Sequence, residues 1–300
     1  VCSSDLCTPY QVGNVPSFGE HCAWMESSAV VYANSVLGAR TNTEGRESTS
    51  AAMLTGRIPR WGLHLDENRR GQAGIKIECQ PLTHEDWGLL GYWMGDWVQN
   101  TVAVMDGAVS KPDLASLKHF GAAASSSGGV ELFHLVGVTP EAPTWTQAFG
   151  GLPPGQVRVY DSCARANTLE KLNGQTQFNQ VDYVMLGCPH YSLLQMQMAN
   201  ERLNGRRIHP QCALWIFTAH DIKVQADAQG LTESLEHAGV KIFTNSCSAM
   251  SRAVPPGTRV VALDSVKQAH YLPAILGIQA WFGTTEQCIE AACTGVWRHA

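Results

Sequence analysis

Short apolar segments alternate with helical stretches over residues 182–263, and this alternation constrains the fold more than any other feature. Each apolar segment has the length of one buried strand, and each stretch between them has room for a helix. This order predicts an α/β fold with a parallel sheet covered by helices, because parallel strands need a crossover connection. The predicted strands are 182–186, Ala213–Thr218, Val240–Thr244 and 259–263, and the predicted helices are 192–204 and 221–238.

The first half of the chain carries weaker signals. It predicts helices over 26–39 (ended by Gly38), 48–54 and 113–120, and strands over 130–138 and 157–160. Residues 122–129 (AAASSSGG) read either as a linker between subdomains or as a tight loop beside a ligand, where small residues let a backbone come close. We therefore expect an artefactual leader at 1–6, an incomplete N-terminal part at 7–129 and an α/β part at 130–300.

The overall charge and hydropathy exclude several classes of protein. The net charge of −5 and the pI of about 6.1 are unlike those of a nucleic-acid-binding protein, which is typically basic. No apolar run approaches the roughly 20 residues that span a bilayer, and the N-terminus has no signal-peptide pattern. We expect a cytoplasmic protein that binds neither nucleic acid nor membrane. Its 10 cysteines contain no CxxC pair, which favours free thiols over a disulfide framework.

Reactive side chains follow three of the predicted strands. Cys188 and His190 follow strand 182–186, Cys247 follows Val240–Thr244, and the segment 264–267 (DSVK) follows strand 259–263. The carboxyl ends of parallel strands lie at one edge of a sheet, where ligands gather. Cysteine thiolates hold iron–sulfur clusters, and a cluster with only three thiolates keeps an open iron that acts as a Lewis acid.

The residue pattern alone does not decide which cysteine supplies the third thiolate. Cys7, in a proline-anchored turn, and Cys22 are nearly equal candidates. The alternative is structural, because a Gly-Cys-Pro-His segment can also be a turn with a small core cysteine. The sequence has no nucleotide-binding glycine loop, no HExxH zinc motif and no GxSxG nucleophile motif.

Several longer segments resemble the aconitase X family, in the same order along the chain. They are CTPY (7–10), ESSAV (26–30), YANSVLGARTN (32–42), GLHL (62–65), FHLVGVTPEA (133–142), GCPH (187–190), and DSVK (264–267) with the YLP that follows at 271–273. The resemblance implies an aconitase-like α/β fold and a hydro-lyase that dehydrates a small hydroxy acid. It also implies an iron–sulfur cluster held by Cys7, Cys188 and Cys247, which favours Cys7 over Cys22.

The resemblance implies a substrate and a partner as well. We expect cis-3-hydroxy-L-proline as the substrate, with mevalonate 5-phosphate as the alternative. We expect the family's N-terminal segment and its small swivelling domain to lie outside this sequence, and we expect a swivelling domain or subunit as the partner.

The reaction implied by the resemblance is β-elimination of water, which needs a base, an acid and groups that hold the substrate. Arg40 is expected to clamp a carboxylate with its planar guanidinium. His190 is expected to support Cys188 or to contact substrate. The other expected residues are Glu26, Lys267 and Ser265 for catalysis and Asn34, Ser35 and Thr41 for substrate binding. Glu26 can instead simply cap the helix that follows it.

Two interpretations remain that assign the chain to other classes of protein. A zinc hydrolase would use Cys188, His190 and Cys247 as ligands. A non-catalytic fragment would only bind a partner subunit.

Overall fold

Parallel β-sheets covered by helices form both units of the chain, which confirms the predicted α/β class. The structure, a computed structural model, describes residues 7–108, 110–174 and 176–298. These residues form two compact units, Val1–Thr168 and Leu169–Ala300. The predicted leader at 1–6 lies outside the described residues, and the predicted division after residue 129 stays a prediction.

The sheet of the first unit has the strand order β3-β2-β1-β4, with every neighbouring pair parallel. The predicted strand over 130–138 is shorter than expected, because the hydroxyl of Thr139 accepts a hydrogen bond from Leu135 N and a turn begins there. The prediction over 157–160 is confirmed. The strands are β1 (Ala73–Ile77), β2 (Ala103–Asp106), β3 (Phe133–Leu135) and β4 (Gln156–Tyr160).

The helices of the first unit begin and end at recognisable residues. The predicted helix over 26–39 is confirmed as an α-helix that continues into a π-helical turn, Ala33–Leu37, and ends at Gly38 with φ +69°. The predicted helix over 48–54 is also confirmed and ends at Gly56. The helices are α1 (Ser27–Tyr32), α2 (Arg46–Thr55), α3 (His84–Val98), α4 (Leu114–Gly128), α5 (Trp145–Ala148) and α6 (Ser162–Asn173), the last of which runs across the boundary between the units.

The small-residue segment over 122–129 is neither a linker nor a loop, so both of those readings were wrong. It forms the second half of α4, and its small side chains let that helix pack closely on α3. A Cβ on Gly91 would lie 2.3 Å from Phe120 O, and one on Gly128 would lie 1.9 Å from Gly95 O. The run of alanine, serine and glycine is thus a close helix–helix contact.

The sheet of the second unit has the order β7-β6-β5-β8-β9, again with every pair parallel. The predicted strands Ala213–Thr218 and Val240–Thr244 are confirmed at those bounds, and the one predicted over 259–263 begins at Val260. The strands are β5 (Tyr183–Tyr191), β6 (Ala213–Thr218), β7 (Val240–Thr244), β8 (Val260–Leu263) and β9 (Gln279–Phe282).

The helices of this unit depart from prediction in one place. Residues 221–238 form two helices instead of one, because Gly230 adopts φ +70° and interrupts the α-helical hydrogen bonds. The predicted helix over 192–204 is confirmed. The helices are α7 (Leu193–Leu203), α8 (His220–Ala228), α9 (Leu231–Ala238), α10 (Ser248–Ser251), α11 (Val266–Leu276) and α12 (Thr285–Thr294). No helix among the described residues is both long and apolar enough to cross a membrane.

Candidate functional site

Strand β5 contains a bulge at the segment that carries Cys188. Leu186 pairs with Ile216 and Tyr191 pairs with Thr218, so β5 uses more residues than β6 between the same two rungs. Gly187 makes this possible, since it has φ +93° and a Cβ there would lie 2.1 Å from Phe217 O. The strand predicted to end at residue 186 therefore continues to Tyr191, and the bulge leaves Cys188 half-buried.

The sulfur of Cys188 accepts a hydrogen bond from the side chain of Gln268. The distance from Gln268 Nε2 to Cys188 Sγ is 3.0 Å, and Gln268 is 2% exposed. Gln268 lies in the first turn of α11, which directly follows β8. Strands β5 and β8 are neighbours at the point where the strand order reverses, which is where open α/β sheets bind ligands.

Ser265 and Lys267 begin the same helix. Ser265 is 2% exposed and caps α11, because its hydroxyl accepts a hydrogen bond of 3.2 Å from Gln268 N. Lys267 is half-buried in the first turn. The predicted segment 264–267 thus follows its strand as expected, and it positions Gln268, which sequence reasoning missed.

His190 connects the segments that carry the two cysteines of this unit. Its Nε2 donates to the carbonyl oxygen of Ser246 over 2.9 Å, and Ser246 directly precedes Cys247. Cys247 caps α10, and its Sγ accepts a hydrogen bond of 3.3 Å from Met250 N. The fold therefore ties the Cys188 segment to the Cys247 segment, and each sulfur receives an N–H donor.

A buried carboxylate lies beside this point in the sheet. Asp264, which is 3% exposed, accepts hydrogen bonds from the hydroxyl of Tyr191 and from Thr285 Oγ1, the latter at 2.9 Å. Burial raises the pKa of Tyr191 well above its ordinary value, so this phenol stays protonated and donates. Tyr191 and Thr285 were not predicted from the sequence, because their contacts join three separate strand ends.

Most of the predicted polar residues of the first unit form hydrogen bonds with backbone atoms of other residues in that unit. Glu26 caps α1, where its carboxylate accepts from Ala29 N at 2.9 Å, and its catalytic role stays a prediction. Asn34 is fully buried; its Nδ2 donates to Thr41 O at 2.8 Å and its Oδ1 accepts from Thr41 N at 3.0 Å. Ser35 Oγ accepts from Phe133 N at 2.9 Å. These residues fix the segment around Arg40, and direct substrate contact by them stays a prediction.

Arg40 lines an open cavity of about 390 Å³ in the first unit. Its guanidinium donates to His64 O at 3.1 Å and pairs with Asp66, which is exposed. Arg70 lines the same cavity and makes no hydrogen bond or ion pair within the described part of the chain. Two carboxylates, Asp66 and Glu141, also line the cavity and pair with Arg40 and Arg69, so Arg70 is the cation there that best suits a carboxylate or a phosphate.

His134 lines the same cavity from strand β3. Its Nε2 donates to the carbonyl oxygen of Arg69 at 2.7 Å, which leaves Nδ1 as an acceptor with no hydrogen-bond partner among the described residues. Burial lowers the pKa of His134, so the ring is neutral near pH 7.

His64, in the GLHL segment, is also buried, and burial lowers its pKa. Its Nδ1 lies 3.0 Å from His21 Nδ1, so one of the two rings donates to the other.

The cysteine sites can be tested for their fit to an iron–sulfur cluster. Cys7 is half-buried and lies two residues before a short 3-10 helix, Pro9–Val12, which agrees with the predicted proline-anchored turn. The sulfurs of Cys188 and Cys247 each accept an N–H, as cluster sulfurs do. In the described ranges no group of three or more His, Cys, Asp or Glu side chains has the arrangement of a metal site. The two sulfurs of the second unit, each with an N–H donor, have donor chemistry that fits a thiolate-bound group.

Family models match nearly the whole chain. The aconitase X first domain matches residues 2–67, the second domain matches 71–166 and the third domain matches 181–294. The chain belongs to the aconitase X family. The holo-form crystal structure of Thermococcus kodakaraensis aconitase X agrees, with a TM-score of 0.86 and 32% sequence identity over 97% of this chain and 73% of that one.

Two kinds of dehydratase are similar to this aconitase X chain. Cis-3-hydroxy-L-proline dehydratase of Pseudomonas aeruginosa is 38% identical over 97% of the chain and 51% of its own length. The phosphomevalonate dehydratase large subunit of Methanothermobacter thermautotrophicus is 39% identical over 93% of the chain and 68% of its own length. The chain thus spans about half of the bacterial relative and about two thirds of the archaeal one.

Proposed function

We propose that this chain is the catalytic part of a hydro-lyase that eliminates water from cis-3-hydroxy-L-proline by means of an iron–sulfur cluster. The names of the similar dehydratases support the reaction class. The observation that carries the cofactor is the hydrogen bond from His190 to Ser246, because it ties the Cys188 and Cys247 segments together at the carboxyl edge of one sheet.

Cys7, Cys188 and Cys247 are the proposed ligands. When bound, a cluster with three thiolate ligands supplies an open iron position, which is a Lewis acid for a substrate oxygen. His190 supports this site from outside, since its bond to Ser246 O fixes the backbone next to Cys247. A zinc site with His190 as a ligand would have to use Nδ1, because Nε2 donates to the carbonyl oxygen of Ser246.

The elimination breaks a C–H bond next to the carboxylate and a C–O bond at the neighbouring carbon. The base takes the proton, the electron pair forms the C=C bond, and the hydroxide leaves as water after protonation. Lys267 is the proposed proton-transfer group, because it is half-buried in the turn next to Cys188's partner Gln268. Ser265 fixes that turn, and Glu26 is proposed as a second catalytic carboxylate.

The Arg40 cavity is the proposed site for the substrate's acid group. Arg40 is held by His64 O and Asp66, and Arg70 adds a cation that no described carboxylate neutralises by an ion pair. Asn34, Ser35 and Thr41 hold the Arg40 segment in place through their backbone contacts.

Mevalonate 5-phosphate is the second candidate substrate. The arginine side chains of the cavity favour it, since guanidinium groups bind phosphate with bidentate geometry. Five of the similar proteins are named as large subunits, which supports a separate small subunit as the partner of this chain.

The decisive experiment compares the visible spectrum of two cysteine variants. The chain is purified anaerobically, reconstituted with iron and sulfide, and examined as wild type, Cys188→Ala and Cys163→Ala. Cys163 is exposed and serves as the matched control. We expect a broad iron–sulfur band that disappears in Cys188→Ala and remains in Cys163→Ala.

A wild-type chain that stays colourless after reconstitution would contradict the cofactor. If the band is present, turnover of each hydroxy acid, with the small domain supplied, decides between the substrates. Turnover of mevalonate 5-phosphate alone would replace the first candidate by the second.

A further inference from the structure

The Gln268 amide is placed to act on Cys188 and on nothing else that the structure describes. Its Nε2 lies 3.0 Å from Cys188 Sγ, and among the described residues this is the only hydrogen bond of its side chain. The residue is 2% exposed, so water does not compete for the amide. A buried donor aimed at one sulfur is an arrangement that holds that sulfur in a fixed position.

Two features of the fold hold Gln268 in this position. Ser265 Oγ accepts from Gln268 N at 3.2 Å, which fixes the first turn of α11. That turn directly follows β8, and β8 pairs with β5 through Met185 and Leu263. The distance between the amide and the sulfur is therefore set by the register of two neighbouring strands.

The other end of the amide shows which atom matters. Gln268 Oε1 is buried and has no hydrogen-bond partner among the described residues. An orphaned acceptor costs about 1–3 kcal/mol, so the oxygen does not explain why a polar side chain is buried here. The bond to the sulfur does, because a thiolate accepts hydrogen bonds and cannot donate them.

We propose that Gln268 is a positioning residue for Cys188, whose N–H orients the ligand sulfur and raises the reduction potential of the bound cluster. The inference rests on the proposed iron–sulfur function. An N–H that donates to a ligand sulfur stabilises the negative charge added on reduction, so its removal lowers the potential. Removal of the N–H donor also leaves the sulfur freer to rotate, which weakens metal binding.

The first test needs no cluster. In the iron-free protein, the side-chain amide protons of Gln268 are assigned by NMR from the resonances that disappear in Gln268→Met. We expect them to shift when Cys188 is replaced by alanine, because the sulfur is their acceptor. Amide protons that do not respond to Cys188→Ala would overturn the proposal whatever the protein does with iron.

The second test uses the reconstituted protein. Gln268→Met keeps an unbranched side chain and removes the donor, and Gln268→Glu replaces the donor by an acceptor. We expect Gln268→Met to shift the redox equilibrium of the cluster about tenfold towards the oxidised form, which is about 59 mV for one electron. Iron loss to a chelator should be about tenfold faster in Gln268→Met and faster still in Gln268→Glu.

Gln197→Met is the matched control, because Gln197 is half-buried on α7 and its side chain makes a solvent-exposed hydrogen bond to Gln229. It should leave the potential and the chelator rate as in wild type. A folded Gln268→Met protein with the wild-type potential and the wild-type rate of iron loss would overturn the proposal. A wild type that shows the NMR response but takes up no iron would instead refute the iron–sulfur function, and the cluster role of Gln268 with it.

Discussion

Replacing Gly187 by alanine should collapse the bulge that presents Cys188. Gly187 has φ +93°, where an L side chain is strained, and its Cβ would lie 2.1 Å from the backbone oxygen of Phe217. That oxygen belongs to β6 and cannot rotate away, so the two strands must separate locally. The variant therefore combines a backbone penalty with a steric one.

The steric part can be isolated with a second glycine of the same unit. Gly205 has φ +72°, and no atom lies within 4 Å of the position that its Cβ would take. Gly205→Ala should cost only the left-handed backbone penalty of about 1–2 kcal/mol. Gly187→Ala adds overpacking of about 1–3 kcal/mol, which gives a total of about 2–5 kcal/mol.

The assay is the free energy of unfolding, read from hydrogen exchange of amides in β5 and β6, together with the visible spectrum after reconstitution. We expect Gly187→Ala to lose both stability and colour, while Gly205→Ala keeps the colour. Equal destabilisation by the two substitutions would refute the close-approach argument. Full colour in Gly187→Ala would show that the bulge does not position Cys188.

Two further predictions concern the first unit. Arg69 is 3% exposed and forms a two-pronged ion pair with Glu141, so Arg69→Met should lower the free energy of unfolding by about 3 kcal/mol. Lys76→Met breaks an exposed ion pair and should lower the free energy of unfolding by less than about 1 kcal/mol. Similar losses for the two variants in urea titrations would contradict this prediction. Burial lowers the pKa of His119 from 6.5 to about 4, so unfolding takes up a proton when the pH lies between these values. The free energy of unfolding should therefore fall as the pH drops through that window, by up to about 1.4 kcal/mol per pH unit. A His119→Gln variant whose free energy of unfolding keeps the same dependence on pH would contradict this prediction.

The sequence predicted the second unit better than the first, and the reason is physical. Strands β5 and β8 are almost fully buried, four of the five strands read as short apolar runs, and helices lie between them. In the first unit, β1 and β2 lie among glycine and polar residues and were not predicted. The helix over 122–129 was misread because its small side chains pack on another helix, which is a contact with residues far away in sequence.

The candidate site shows the same limit at the level of single residues. Cys188 and Cys247 were predicted from their place after strands, which depends only on local pattern. Gln268 was missed, because its contact depends on the register of β8 against β5. Asn34 and Ser35 were recognised as special but bond within the protein, because a polar residue that holds a loop and one that holds a ligand look alike in sequence.

Topology alone does not explain where the chemistry lies, because both sheets reverse their strand order in the same way. In the first unit the reversal lies between β1 and β4, and there Cys79 N and Glu78 N both donate to Tyr160 O. Backbone hydrogen bonds thus join the ends of β1 and β4 at the reversal. In the second unit the bulge at Gly187 lies in β5 beside the reversal, and the Cys188 sulfur there accepts a hydrogen bond from the Gln268 side chain. The bulge that Gly187 permits is thus the difference between the reversal in the first sheet, which is joined by backbone bonds, and the candidate site in the second. Gly187→Ala therefore tests the site as directly as Cys188→Ala does.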